Sequence, residues 1–253
     1  MLDTLAARWT GLALALLTVV GTLWLALTGD LDLYVHPRYF GFTITMAVVG
    51  GLLAVAAVLF LPGHPLGEDA HDAEEVTEST ARSPFATAGR VVIVAAATVA
   101  LLVLSPATLS SRVAGTRELN AASATGDAVQ PLELAGADGT GFSVKDWAGL
   151  LRQNLPESFF AGKTADVTGF VLDAESEDTF YLSRYLITHC AIDAQPVGIP
   201  VHWPGWQDEV EPGGWLSISG AFGANEDPLV DSSVVLTPDA TEQVEQPDDP
   251  YVY

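Results

Sequence analysis

From Trp9 to Gly29 the chain carries no charged residue and consists mainly of Leu, Val, Ala and Thr. About 20 helical residues at ~1.5 Å each cross a ~30 Å hydrocarbon core. In lipid a single segment satisfies its own backbone N–H and C=O groups only as a helix, so the run fixes both its conformation and its solvent. A cleaved signal peptide is the rival reading. Such peptides have a shorter apolar core and a small-x-small cleavage site, and no convincing site precedes Asp30. The run therefore reads as a retained membrane helix.

Two further apolar runs follow, and the three predict spans at 9–29, 40–61 and 91–109 within a membrane domain at 9–109. The second, Phe40 to Leu61, holds Gly50-Gly51 and stops at Pro62-Gly63; the third, Val91 to Leu109, is Val/Ala-rich and the least hydrophobic. Asp30 to Arg38 is a short polar turn flanked by Tyr34 and Tyr39, which suit a membrane interface. Residues 62–89 form an acidic segment with two histidines, His64 and His71. Two imidazoles beside carboxylates offer a weak divalent-metal site, but without regular spacing a solvated loop explains the composition as well. Arginines near the spans nearly balance. Arg8 placed inside, with three spans, predicts a multi-pass cell-membrane protein whose C-terminal domain is extracytoplasmic.

The remaining chain is acidic. The formal net charge is -22, yet 49% of residues are hydrophobic, so apolar and acidic residues must be segregated along the sequence. A pI near 4.2 excludes ordinary nucleic-acid binding, which needs a basic face. Residues 110–141, rich in Ala, Gly, Ser and Thr, read as a linker. From 142 the pattern is that of a folded domain. A short helix is expected at Val144–Asn154, then strands at Thr164–Leu172, Thr179–His189, Val197–Trp203, Trp215–Phe222 and Leu229–Thr237. Five short strands in so few residues predict an all-β domain at 142–238, a small five-stranded OB-like barrel, with a disordered tail at 239–253.

The densest chemistry lies at the end of the second of these strands. His189 precedes Cys190, the only cysteine of the chain; Asp193 follows, and His202 stands just beyond. One cysteine excludes an intrachain disulfide. His189, Cys190, Asp193 and His202 would suffice for a zinc site if the chain turned them together, although no familiar ligand spacing is present. A lone Cys among Ile187, Ala191 and Ile192 is also an ordinary buried residue. Asp193 has a second reading: if Arg184 faces inward it needs a carboxylate, and Asp193 is the nearest in sequence.

The run Arg184-Tyr-Leu-Ile-Thr-His-Cys-Ala-Ile-Asp-Ala-Gln-Pro196, with Phe160 to Phe170 and Trp215 to Gly220, resembles the YcgQ-like family of predicted permease subunits. The resemblance implies N-terminal membrane helices, a C-terminal domain of unknown function, pairing with a separate multispanning permease, and an association with zinc. The family pattern has two adjacent cysteines, two alanines and an aspartate. Cys190 matches the second cysteine and Asp193 the aspartate, whereas His189 replaces the first cysteine and Ile192 the second alanine. This departure removes a dithiol pair and leaves imidazole in its place.

Three functions are therefore expected in order. The first is a membrane-anchored, non-enzymatic accessory subunit of a permease, handling a divalent metal such as zinc. The second is a structural envelope module whose barrel binds a protein or a glycan, with Trp203, Trp206 and Trp215 as a platform. The third is a Cys-dependent enzyme with Cys190 as nucleophile and His189 or His202 as base, which needs a thiolate poised by positive charge that this acidic domain does not offer.

Overall fold

A computed structural model describes residues 2–60, 84–103, 108–121, 139, 141–153 and 155–253. It divides into two compact units, Met1–Asp32 with Pro37–Ala107, and Leu33–His36 with Thr108–Tyr253. The division assigns four residues between the first two helices to the C-terminal unit.

Among the described residues the first unit contains helices α1 (Leu2–Thr28), α2 (Phe40–Phe60) and α3 (Pro84–Val103). Pro84 opens α3 at the position where a missing N–H costs nothing. Helix α1 packs against both α2 and α3. Gly51 is the buried residue of α2, and a Cβ there would come within 3.3 Å of Val19 on α1, so the contact depends on a small residue. Several threonines bond to carbonyls of their own helix. Thr22 donates to the Thr18 carbonyl at 2.9 Å, Thr45 to Gly41 at 2.7 Å and Thr98 to Val94 at 2.8 Å. Large apolar side chains point outward, among them Trp24 and Leu52 at 65% and 66% exposure. Trp9–Thr28 and Pro37–Phe60 are long and apolar enough to cross a membrane, whereas the apolar part of α3 is shorter, Val91–Ala100. The helix begins at Pro84, so its start lies inside the segment expected to be a loop. His64 and His71 lie outside the described residues.

The second unit is built on a six-stranded sheet: β1 (Thr164–Asp173), β2 (Thr179–Leu186), β3 (Gln195–His202), β4 (Trp215–Ala224), β5 (Val234–Val244) and β6 (Tyr251–Val252). Strands β1 and β2 pair antiparallel, as do β2 and β3, β1 and β4, and β4 and β5. A single parallel bridge, Val201 to Leu236, joins β3 to β5, and β6 lies parallel to β2. Short helices α4 (Ser111–Ala114), α5 (Val144–Leu151) and α6 (Glu157–Phe160) surround the sheet. Helix α5 starts where Ser143 and Asp146 cap each other's backbone, and it buries Val144, Trp147, Ala148 and Leu150. These side chains join Phe160, Phe180, Trp206, Ile199, Ile218 and Leu236 in the main core. A second cluster on the other side of β2 holds Leu33, Ala114, Phe170, Tyr185, Ile187 and Tyr251.

Two expected boundaries are corrected. Residues 110–141 are not all linker: α4 lies there, and Asn120 clamps β3 by accepting from the Gly198 N–H at 2.8 Å and donating to the Gly198 carbonyl at 3.0 Å. Residues 239–253 are not a disordered tail. Strand β5 runs to Val244, and β6 lies beside β2 with Tyr251 buried. A run of Asp, Gln and Pro hid this from composition, because what orders it is long-range. Arg184 donates to the carbonyls of Pro250 at 3.0 Å and Tyr251 at 3.3 Å, and to that of Asp249.

Candidate functional site

Strand β2 ends at Leu186, and the chain reverses through a short 3-10 turn at Ala191–Asp193 before β3 begins at Gln195. The Asp193 carboxylate organises the reversal. It accepts the backbone N–H groups of His189 at 3.0 Å, and of Thr188 and Cys190 at 3.3 Å each. It also meets the His189 Nδ1 at 2.8 Å. Three N–H groups converging on one carboxylate satisfy donors that β2 and β3 leave behind where they part.

A second segment closes over this turn. Val35 and Cys190 form an isolated antiparallel bridge. The Ala191 N–H donates to the Tyr34 carbonyl at 2.9 Å and the His36 N–H to the His189 carbonyl at 3.0 Å. The Arg117 guanidinium adds a bond to the Ala194 carbonyl. Ile192, at the tip of the turn, is 88% exposed. Nothing local in the sequence announces Tyr34, Val35 and His36 as partners of Cys190, because the pairing spans more than 150 positions (190 − 35 = 155).

The expected ligand set is only partly brought together. His189, Cys190 and Asp193 share the turn, but His202 pairs with Thr179 at the far end of the β2–β3 hairpin, while Gln195 pairs with Leu186 near the turn. Seven residues separate Gln195 from His202 along β3 (202 − 195 = 7), or about 23 Å at ~3.3 Å per residue. No group of three or more His, Cys, Asp or Glu side chains arranged to hold a metal ion occurs among the described residues. The residues present therefore do not fit the four-ligand zinc site. His202 fails it because it stands at the opposite end of the hairpin from the turn. The His189 Nδ1 faces the Asp193 carboxylate at 2.8 Å, and one imidazole beside one carboxylate does not make a metal centre.

Asp193 is also not the partner of Arg184. The Arg184 guanidinium donates to main-chain carbonyls of residues 249–251 and to Thr168 at 3.3 Å, and its charge lies 5.3 Å from the Trp215 ring centroid. Burial lowers its pKa, and the charges of Asp249 and Tyr253 oppose that shift. The side chain satisfies its donors with carbonyls and an aromatic face rather than with a carboxylate.

His202 belongs to a different place. A cavity of about 680 Å³ opens between the β1–β2 turn and the loop after β4, lined by Glu175, Asp178, His202, Asn225, Asp227 and Thr237 among others. The Ser176 hydroxyl and the Leu229 N–H hold the Asp227 carboxyl below the usual carboxylate range. On the neighbouring strand, burial raises the Tyr181 pKa, assisted by Asp231 and Asp227. Two of the three tryptophans expected as a platform are engaged elsewhere. Trp206 is buried in the core against Phe180, and Trp215 packs between Phe170 and Arg184.

Residues 10–120 match the DUF1980 N-terminal domain and residues 145–253 the DUF1980 C-terminal domain. The chain belongs to the DUF1980 family. The two matches fall on the helical part with the start of the second unit, and on the sheet-bearing part, so this DUF1980 protein carries both halves of the family's architecture in order. No curated protein matches the chain.

Proposed function

We propose that this DUF1980 protein is a membrane-anchored accessory subunit of a multispanning permease. Its three helices form the anchor and its C-terminal domain is a closed five-stranded OB-like barrel on the outer face. The observation that carries the membrane arrangement is the pairing of Val35 with Cys190. Val35 joins the first two helices in sequence, so it lies on the side of the membrane to which α1 delivers the chain. A chain that crossed only twice would return to the starting side, and the Cys190 turn could not reach Val35. An odd number of crossings is needed, and α3 is the segment available for the third.

The barrel reading rests on the cycle of pairings β1–β2–β3–β5–β4–β1, with its one parallel contact between β3 and β5. The β6 strand is an added edge. Support for a helical partner comes from α2. Gly51 is consumed by the contact with Val19, but a Cβ on Gly50 would meet nothing within 4 Å, so a small residue stands where another helix can approach. Trp9–Thr28 and Phe40–Phe60 carry no ionisable group and are poor candidates for an ion path of their own, and a permease would supply one. The Cys190–Asp193 turn serves as a backbone clamp rather than as a zinc site.

Two experiments test it. In a Cys190→Ala background, a membrane-impermeant thiol reagent applied to intact cells should label Ser232→Cys and spare Ser79→Cys; the reverse labelling overturns the outward placement of the domain. Purification in mild detergent should recover a multispanning partner, and Gly50→Leu with Ala54→Phe should remove it. A wild-type protein recovered without any such partner would leave a stand-alone envelope module.

A further inference from the structure

We infer that the Cys190–Asp193 turn is a lipid contact, with Ile192 inserted among the headgroups of the outer leaflet. The inference rests on the membrane reading above. It starts from covalent connectivity. Val35 stands seven residues after the end of α1 at Thr28 and five before the start of α2 at Phe40 (35 − 28 = 7; 40 − 35 = 5). A fully extended chain spans at most ~3.6 Å per residue, so Val35 stays within about 25 Å of one helix end and about 18 Å of the other. The residues between are not extended, since 3-10 turns occupy Asp30–Leu33 and Pro37–Tyr39 and shorten that reach further. Val35, together with whatever pairs with it, is therefore tied by two short tethers to the ends of two membrane-length helices.

What pairs with it is the Cys190 turn, through one bridge and the two backbone hydrogen bonds from Ala191 and His36. Asp193 makes the turn rigid from its other side. At the tip, Ile192 is 88% exposed, more than Leu229 at 68%. Tyr34, beside the bridge, is 37% exposed and is of the type that favours the headgroup layer. A single exposed aliphatic side chain on a soluble surface needs no explanation. One hydrogen-bonded into its turn, beside a tyrosine, and tethered between two spans is within reach of a lipid surface that would cover it.

The test uses the whole protein, purified and reconstituted in phosphatidylcholine nanodiscs without any partner. An environment-sensitive fluorophore is attached, in a Cys190→Ala background, to Ile192→Cys, Leu229→Cys or Val20→Cys. The inference predicts a blue-shifted emission at position 192 that is strongly quenched by lipids doxyl-labelled near the headgroup. Position 229 should be red-shifted and unquenched. Position 20, on α1, should be quenched best by lipids labelled deep in the acyl chain. Emission at 192 that matches 229, while 20 is quenched, overturns the lipid contact and leaves the membrane reading intact. Loss of quenching at 20 as well overturns both.

Discussion

Asp193→Ala should destabilise the C-terminal unit while leaving the helices untouched. The carboxylate accepts one backbone N–H at 3.0 Å and two at 3.3 Å. A hydrogen bond to a charged group contributes about 1.5–3 kcal/mol when short and sheltered. The side chain is 33% exposed, and water can reach the two longer bonds, so the shortest dominates. The contact with His189 adds little, because that ring is 67% exposed and such surface contacts contribute about 0–1 kcal/mol. The expected loss is about 2–3 kcal/mol, or roughly 5–10 °C at 2–4 °C per kcal/mol for a unit of this size. The assay is thermal unfolding of the detergent-solubilised protein followed by near-UV circular dichroism, which reports the buried Trp147 and Trp206. His189→Ala is the control and should shift the midpoint by no more than a degree or two. Equal losses in the two variants would refute the clamp and give the imidazole–carboxylate pair the leading role. An unchanged midpoint for Asp193→Ala would refute the hydrogen-bond assignment itself.

Gly198→Ala should cost about 1–3 kcal/mol in the same melting assay, because its Cβ would press on the buried Ser183 hydroxyl. Gly220→Ala should cost more, since its Cβ would overlap the Thr237 carbonyl at the β4 irregularity and backbone cannot swing aside. Burial pushes the Tyr185 pKa up to about 12, and its hydroxyl donates to the Ser110 carbonyl at 2.8 Å. The unfolded chain loses this proton near pH ~10 and the folded one only near 12, so the contribution is full below pH 10 and is lost as pH rises through 12. Melting curves across that window should fall less steeply for Tyr185→Phe than for wild type; parallel curves would show that the group does not carry the dependence.

The apolar helices were legible because lipid leaves one solution for a long uncharged segment. The β-rich character of the C-terminal unit was legible because alternation along β1, β2 and β4 is local. Strand ends were less so: β5 continues to Val244 through Pro238, Asp239 and Glu242, residues that look like a tail until pairing with β4 is known. In the site, proximity in sequence predicted the grouping of His189, Cys190 and Asp193 but misled twice. It placed His202 in the group, which the length of the β2–β3 hairpin forbids, and it gave Asp193 to Arg184, whose donors are taken by residues 249–251 and Thr168. Both true partners are distant along the chain. Val35 and the C-terminal strand are invisible to any reading that works outward from one motif.

The pairing of Val35 with Cys190 ties the first inter-helix segment to the sheet, and it can be measured with one substitution. Hydrogen bonds on either side make these a non-hydrogen-bonded antiparallel pair, whose Cα atoms lie about 4.5 Å apart, within the ~4.4–6.8 Å range of disulfides. Cys190 is the only native cysteine, so Val35→Cys creates a single possible intrachain bond. Mild oxidation of native membranes, followed by non-reducing electrophoresis and peptide mass mapping, should show nearly complete 35–190 cross-linking that is reversed by reductant. A Val35→Cys protein whose two thiols both remain alkylatable after oxidation, in membranes where the protein is folded, would contradict the pairing and with it the three-crossing arrangement.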